Sequence, residues 1–287
     1  MNIVVVVQAR VGSTRLPGKV LRPLCGKPLL LRMIERVMHA RIPSTIVVAT
    51  TTADGDDAIA SLCEDNGIAV FRGDELDLLD RHYRAGRALD AEAVVKIPSD
   101  CPLIDPTVID TVLGYFLDHT ADFDFVSNLH PPSYPDGQDV EVMHMEVLET
   151  AWREARPGME REHTTPFIWD HPDRFRIGNI TFGDGVDYSM THRWTIDYPE
   201  DYDFLCAVFD ALHEEGAPPF GVRAILDLLR TRPDIHAINA RYAGVNWYRN
   251  HLEELHTVDA QMTRQPDEAF APHALHGINH SPGYDGS

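Results

Sequence analysis

The sequence predicts an α/β fold, a parallel sheet with helices on both faces, and three observations carry that prediction. Short β-branched runs alternate strictly with segments of helical periodicity through residues 1 to 118. The two loops richest in chemistry-bearing residues, 8 to 19 and 98 to 105, each follow a predicted strand, which is where an open parallel sheet binds its ligands. The chain has 287 residues and is 44% hydrophobic, enough for one large core.

Taken in order, strands are expected at 3 to 7, 45 to 50, 68 to 71 and 93 to 97, with helices near 27 to 40, 56 to 66, 76 to 90 and 106 to 118. After Phe125-Val126-Ser127 the texture changes. Pro131, Pro132 and Pro135 with Asp136-Gly137 read as a turn-rich loop, and 138 to 143 as a strand leaving the main sheet. A helix at 144 to 155, a segment at 160 to 171, strands at 175 to 181 and 193 to 196, and helices at 199 to 214 and 221 to 231 complete the globule. Periodicity is lost from Asp259, and the His-, Pro- and Gly-rich tail to Ser287 is expected to be poorly ordered rather than a histidine metal site. The expected organisation is one domain over 1 to 258, an inserted arm near 129 to 143, and a tail over 259 to 287.

The net charge of -20 would repel a nucleic-acid backbone or an anionic membrane surface and so excludes both as partners. Cys25, Cys63, Cys101 and Cys206 lack CxxC spacing, which argues against a zinc cage or a disulfide framework and fits the cytoplasm. The apolar opening at residues 3 to 7 is too short for a signal-peptide core, and nothing later reaches membrane-spanning length. Lysine occurs only at 19, 27 and 96, a balance that suggests a salt-adapted surface or simple genomic bias. Residues 1 to 34 contain no acid yet carry Arg10, Arg15, Lys19, Arg22, Lys27 and Arg32. That focus of positive charge is what an otherwise anionic molecule needs to admit a polyphosphate.

The strongest motif is Gln8-Ala9-Arg10-Val11-Gly12-Ser13-Thr14-Arg15-Leu16-Pro17-Gly18-Lys19, set between a strand and a helix. Most such loops only turn the chain. Here Gly12 and Ser13 let backbone amides approach phosphate, and Arg10, Arg15 and Lys19 supply charge from several directions. The loop is neither a Walker loop nor a dinucleotide fingerprint, because the GK[ST] ending and the GxGxxG spacing are missing. Asp100 follows the strand ending at Ile97, whereas Asp105 before Pro106 reads as a helix N-cap.

The loop, with Gly26-Lys27-Pro28, closely resembles the cytidylyltransferases related to CMP-Kdo synthetase, particularly their spore-coat polysaccharide branch. The resemblance continues through Val47 to Thr51, Phe71-Arg72-Gly73, Leu79-Asp80-Arg81, Ser99 to Asp105, Pro135 to Glu141, Arg161-Glu162-His163 and Arg193-Trp194-Thr195-Ile196-Asp197, in order over residues 1 to 212. It implies a nucleotide-diphospho-sugar transferase fold with a mixed, largely parallel sheet. It also implies CTP bound by Gln8, Ala9, Arg10, Gly12, Ser13, Arg15, Lys19, Arg81 and Ser99, and Mg2+ on Asp100 and Asp197. Asp136, Gln138, Asp139, Glu141, Arg161 and His163 resemble acceptor-side elements, and a homodimer through the inserted arm is implied as well.

Each assignment has an ordinary counterpart. Asp197 would cap the helix at Pro199, Asp80 and Arg81 would form a charged helix face, Asp136-Gly137 would be a turn, and Arg161 to His163 would open a helix. Ser99 stands where the family has glycine, a departure that changes how closely backbone approaches the nucleotide. The expected reaction is CMP transfer from CTP to a small sugar-like acceptor with release of pyrophosphate, Arg10, Lys19, Asp100 and Asp197 carrying the chemistry. Two rivals stay open: a glycosyltransferase, which shares the fold, and a non-catalytic nucleotide-binding protein.

Overall fold

A computed structural model describes residues 1–266 and shows a seven-stranded sheet, β1 Ile3–Gln8, β2 Thr45–Thr51, β3 Ala69–Gly73, β4 Ala93–Pro98, β5 Phe125–Ser127, β6 Glu141–His144 and β7 Ile177–Asn179. Its order is β3-β2-β1-β4-β6-β5-β7. The pairs β3/β2, β2/β1, β1/β4 and β5/β7 are parallel, while β6 runs antiparallel to both β4 and β5. The expected largely parallel, mixed sheet is therefore present.

Val4 to Val7 of β1 are fully buried because helices cover both faces of the sheet. Val5, Val7, Val95 and Ile97 pack with residues of α1 Leu29–Val37, α4 Pro106–Asp118, α8 Pro199–Leu212 and α9 Val222–Thr231. Val4, Val6, Val47 and Val94 pack on the other side with α3 Leu78–Ala88 and α5 Met145–Glu154. Alternation along each strand thus divides one core into two layers. α2 Asp57–Asp65 follows β2, and Asp105 caps α4 by accepting from the Thr107 amide at 2.8 Å, as its place before Pro106 predicts.

Four expectations shift. The strand at 138 to 143 starts only at Glu141, because the Asn128 side chain stands in for a neighbouring strand, donating to the Gln138 carbonyl (2.6 Å) and accepting from the Val140 amide (3.0 Å). Residues 193 to 196 are not a strand: beyond one bridge between Asp136 and Arg193, the Ile196 amide bonds the Asp100 carbonyl at 2.9 Å. The segment 160 to 171 is two short helices, α6 Met159–His163 and α7 Pro166–Trp169, separated by Thr164 in the left-handed region at φ 73°. β5 was not anticipated, since three residues carry too little pattern.

The arm at 129 to 143 packs largely within its own chain: Gln138 and Val140 are fully buried. Past α10 Pro233–Ala237, residues 239 to 264 form a strap of short 3-10 turns across the molecule. The expected start of the tail at Asp259 falls inside this strap, where the Arg264 amide bonds the Gly244 carbonyl at 2.8 Å. The remainder of the predicted tail, 267 to 287, lies outside the described residues.

Candidate active site

The carboxyl ends of β1 and β4 lie side by side, Gln8 in register with Pro98. The Ser99 amide bonds the Gln8 carbonyl at 3.2 Å, so the loops after these strands start side by side. Loop 8 to 19 is folded by its own bonds, Ser13 and Gly18 amides to the Val11 carbonyl at 2.8 and 3.1 Å, and by the Val11 amide to Asp56 at 2.7 Å. The amides of Gly12, Thr14 and Arg15 donate to no protein group among the described residues, and a Cβ at Gly12 would meet nothing closer than 3.7 Å. Nothing in the fold demands glycine there, and the open amides suit an anion.

At the centre the Lys19 ammonium lies 2.9 Å from Asp197 Oδ1, 3.5 Å from Asp100 Oδ2 and 2.6 Å from the Ile196 carbonyl. Burial alone would lower its pKa; Asp100 and Asp197 reverse this and raise it. Asp197 also meets Arg15 at 3.1 Å and Arg193 at 3.1 Å. Against the burial penalty, Lys19, Arg193 and Arg15 hold its carboxyl far below the usual range. The expected pair of carboxylates is thus brought onto one cation. Asp197 does not cap α8: Asp201 does, accepting from the Asp197 and Tyr198 amides at 2.8 and 2.9 Å.

Arg10, within the loop, is exposed. Gln8 Oε1 and Arg81 Nε are buried without a partner among the described residues, on the α3 side of the sheet, which is costly unless a ligand supplies one. Burial, with Arg10 nearby, lowers the Arg81 pKa to about 10. Ala9 and Ser99 are buried beneath the loops. Asp80 takes the ordinary role, pairing with Arg84 and accepting from Trp152 Nε1 at 2.8 Å.

The acceptor-side set divides. Gln138 spends its amide on scaffold bonds, donating to the Leu103 carbonyl (2.8 Å) and accepting from the Asp105 amide (2.9 Å). Arg161 is likewise committed, to Asp77 at the start of α3 (2.7 Å) and the Trp152 carbonyl (2.9 Å). Both side chains are thus held by scaffold bonds. Asp136 pairs with Arg193 at 3.2 Å, Asp139 accepts from the Gly137 amide at 3.2 Å, and Glu141 meets Lys96 and Thr165. His163 stacks on Trp247 of the strap, ring centroids 3.7 Å apart.

Three features escape a sequence reading. Arg193 grips Asp201, Asp136 and Asp197 at once. Lys96 brings a cation to Glu141, and a lone lysine inside the apolar run Ala93–Pro98 is the signal for it. The strap supports both ends of the site: Tyr242 stacks on Tyr198 at 3.8 Å, Val245 accepts from Arg193 at 3.4 Å, and Trp247 covers His163.

Gly137 has φ 106°, and a Cβ there would lie 2.7 Å from backbone atoms of Trp194 and Thr195. Gly137→Ala is expected to cost about 2–3 kcal/mol and to push the Asp197 segment away from the loop. Denaturant melts and pyrophosphate release should both fall.

Stability also carries a pH signature. Burial lowers His82, His130, His163 and His192 to about 3, 4, 3 and 4. It raises Asp136 to about 8, prevailing over an Arg193 shared among three carboxylates, and Asp139 to about 7, with Asp100 adding to the effect. Below about pH 6.5 the unfolded chain binds the histidine protons that the native state refuses, so stability falls with acid. The native aspartates retain protons that the unfolded chain loses, so stability falls as pH rises to about 8. Thermal midpoints without nucleotide should peak near pH 6.5 and be lower at pH 5 and 8.5.

A family model described as Cytidylyltransferase matches residues 4–217. The chain belongs to the cytidylyltransferase family. This cytidylyltransferase is 31% identical over 238 residues to the spore coat polysaccharide biosynthesis protein SpsF of Bacillus subtilis, spanning 81% of this chain and 96% of that protein. A 3-deoxy-manno-octulosonate cytidylyltransferase of Trichlorobacter lovleyi is 36% identical over 118 residues, 41% of this chain and 46% of that one. A solved cytidylyltransferase from Leptospira borgpetersenii superposes with a TM-score of 0.77 at 30% identity, covering 82% of this chain and 96% of its own. The sheet and its helices are those of this nucleotidyltransferase fold.

Proposed function

We propose that this cytidylyltransferase transfers CMP from CTP to a small sugar-acid acceptor, releasing pyrophosphate, in the synthesis of a polysaccharide or surface glycan. The spore-coat and octulosonate relatives support the acceptor class. The observation that carries the reading is the Lys19 ammonium set between Asp100 and Asp197, at the end of a loop that carries open amides and arginines.

Arg10, Arg15, Lys19 and the loop amides would take the triphosphate, and Gln8 and Arg81 would find in the nucleoside the partners that they lack. An acceptor oxygen then attacks the α-phosphorus, the bond to pyrophosphate breaks on the opposite side, and the acceptor hydroxyl releases its proton. The chain's part is positioning and charge balance.

Asp100 and Asp197 are hard oxygen ligands converging on one point. No group of three or more His, Cys, Asp or Glu that could hold a metal occurs among the described residues, so an ion there would complete its shell with phosphate oxygens and water. Mg2+ fits that donor set. When bound, it would withdraw electrons from the α-phosphate and offset its charge. Asp136, Asp139, Glu141, Lys96 and His163 would face the acceptor. A homodimer and a cytoplasmic place remain part of the proposal; among the described residues no helix is long and apolar enough to cross a membrane.

A pyrophosphate-release screen of CTP, UTP, ATP and GTP against sugar acids tests the reading. CTP should be preferred, and release of a nucleoside diphosphate from a nucleotide sugar instead would overturn it.

A further inference from the structure

We propose that Lys19 is the placeholder for the divalent ion: without nucleotide its ammonium occupies the position between Asp100 and Asp197, and the ion enters only together with the triphosphate that draws Lys19 away. The inference rests on reading those two aspartates as the metal ligands.

The Lys19 ammonium has oxygens of Asp197, Asp100 and the Ile196 carbonyl at 2.9, 3.5 and 2.6 Å, a full set for three donors. Its side chain is 11% exposed, so little solvent screens it. A divalent ion would need the same carboxylate oxygens, and two cations sharing them repel.

The surroundings say which cations can yield. Arg193 is held by Asp201 and Asp136 as well as by Asp197, and its side chain is 1% exposed. It is fixed. Lys19 and Arg15 reach Asp197 on long side chains, and Arg15 is half-exposed with its other face over the Tyr198 ring. The backbone beneath Lys19 is pinned, since the Gly18 and Lys19 amides bond Val11 and Leu16 carbonyls at 3.1 and 3.2 Å. Only the side chain has to swing, toward phosphate oxygens that carry more charge than the carboxylates it leaves.

Consequently the free protein should bind the metal weakly, and removing the ammonium should create a metal site that needs no nucleotide. Mn2+ titrations followed by electron paramagnetic resonance test this on the full chain, alone and with α,β-methylene-CTP. Lys19→Met, with Lys19→Gln as the second variant, is expected to bind Mn2+ at least about tenfold more tightly than the unmodified protein when both are nucleotide-free. Adding Asp197→Asn should abolish that gain.

With the CTP analogue, the unmodified protein should hold Mn2+ in a complex that weakens in Asp100→Asn and Asp197→Asn. If that complex depends on both aspartates but neither Lys19 variant gains nucleotide-free affinity, the placeholder role is wrong while the metal assignment stands. If Mn2+ in the complex is indifferent to both aspartates, the metal assignment itself fails and takes the placeholder with it.

Discussion

Asp197→Asn is expected to reduce kcat for CTP-dependent pyrophosphate release by about 10²- to 10³-fold without raising KM for CTP, and Asp100→Asn to behave alike. The split between the two constants follows from the charges at the site. Asp197 is surrounded by Lys19, Arg15 and Arg193, so its removal leaves those cations free to bind phosphate, and ground-state affinity for CTP is maintained or improved. On the proposed mechanism, what disappears is an oxygen ligand needed where charge develops at the α-phosphorus. The fold should survive, since Asp201 rather than Asp197 caps α8 and holds Arg193 with two bonds. Steady-state kinetics with both variants, beside thermal melts, check this; turnover within about threefold of the unmodified enzyme would remove the two aspartates from the mechanism.

How much of this site was legible beforehand depended on whether local pattern or long-range geometry decided it. The loop Gln8 to Lys19 was readable because glycine, small residues and cations are contiguous there, and Asp105 because a cap sits next to the helix that it starts. Parallel order followed from alternating elements. By contrast, Gln138 lies within the motif Asp136 to Glu141 yet bonds Leu103 and Asp105, more than thirty residues away, and no local pattern reveals such a partner. Residues 193 to 196 have the composition of a strand but take their bonds from Asp136 and Asp100, because tertiary hydrogen bonds outweigh propensity over so short a run. The strap lacks periodicity, so Tyr242 and Trp247 gave no sign that they stack on Tyr198 and His163.

Arg193 presents the second large effect, and there stability and chemistry are joined. Its guanidinium bonds Asp201 at 3.0 and 3.1 Å, Asp136 at 3.2 Å, Asp197 at 3.1 Å and the Val245 carbonyl at 3.4 Å, linking α8, the loop at Asp136, the candidate metal ligand and the strap. Arg193→Met would leave Asp201, fully buried, with only Asn239 and two amides among the described residues to offset its charge. A loss of about 3–5 kcal/mol in denaturant unfolding is expected, since stranding a buried charge costs more than the pair contributes. Arg193→Lys should recover only part of it, because an ammonium cannot reproduce the paired bonds to Asp201 while reaching Asp136 and Asp197. The double variant Arg193→Met with Asp201→Asn separates the causes: if the stranded carboxylate dominates, the second change restores stability relative to Arg193→Met alone. Activity should not return with it, because Asp197 and the strap would still have lost the group that holds them in register, and recovery of both together would mean that Arg193 serves the fold alone.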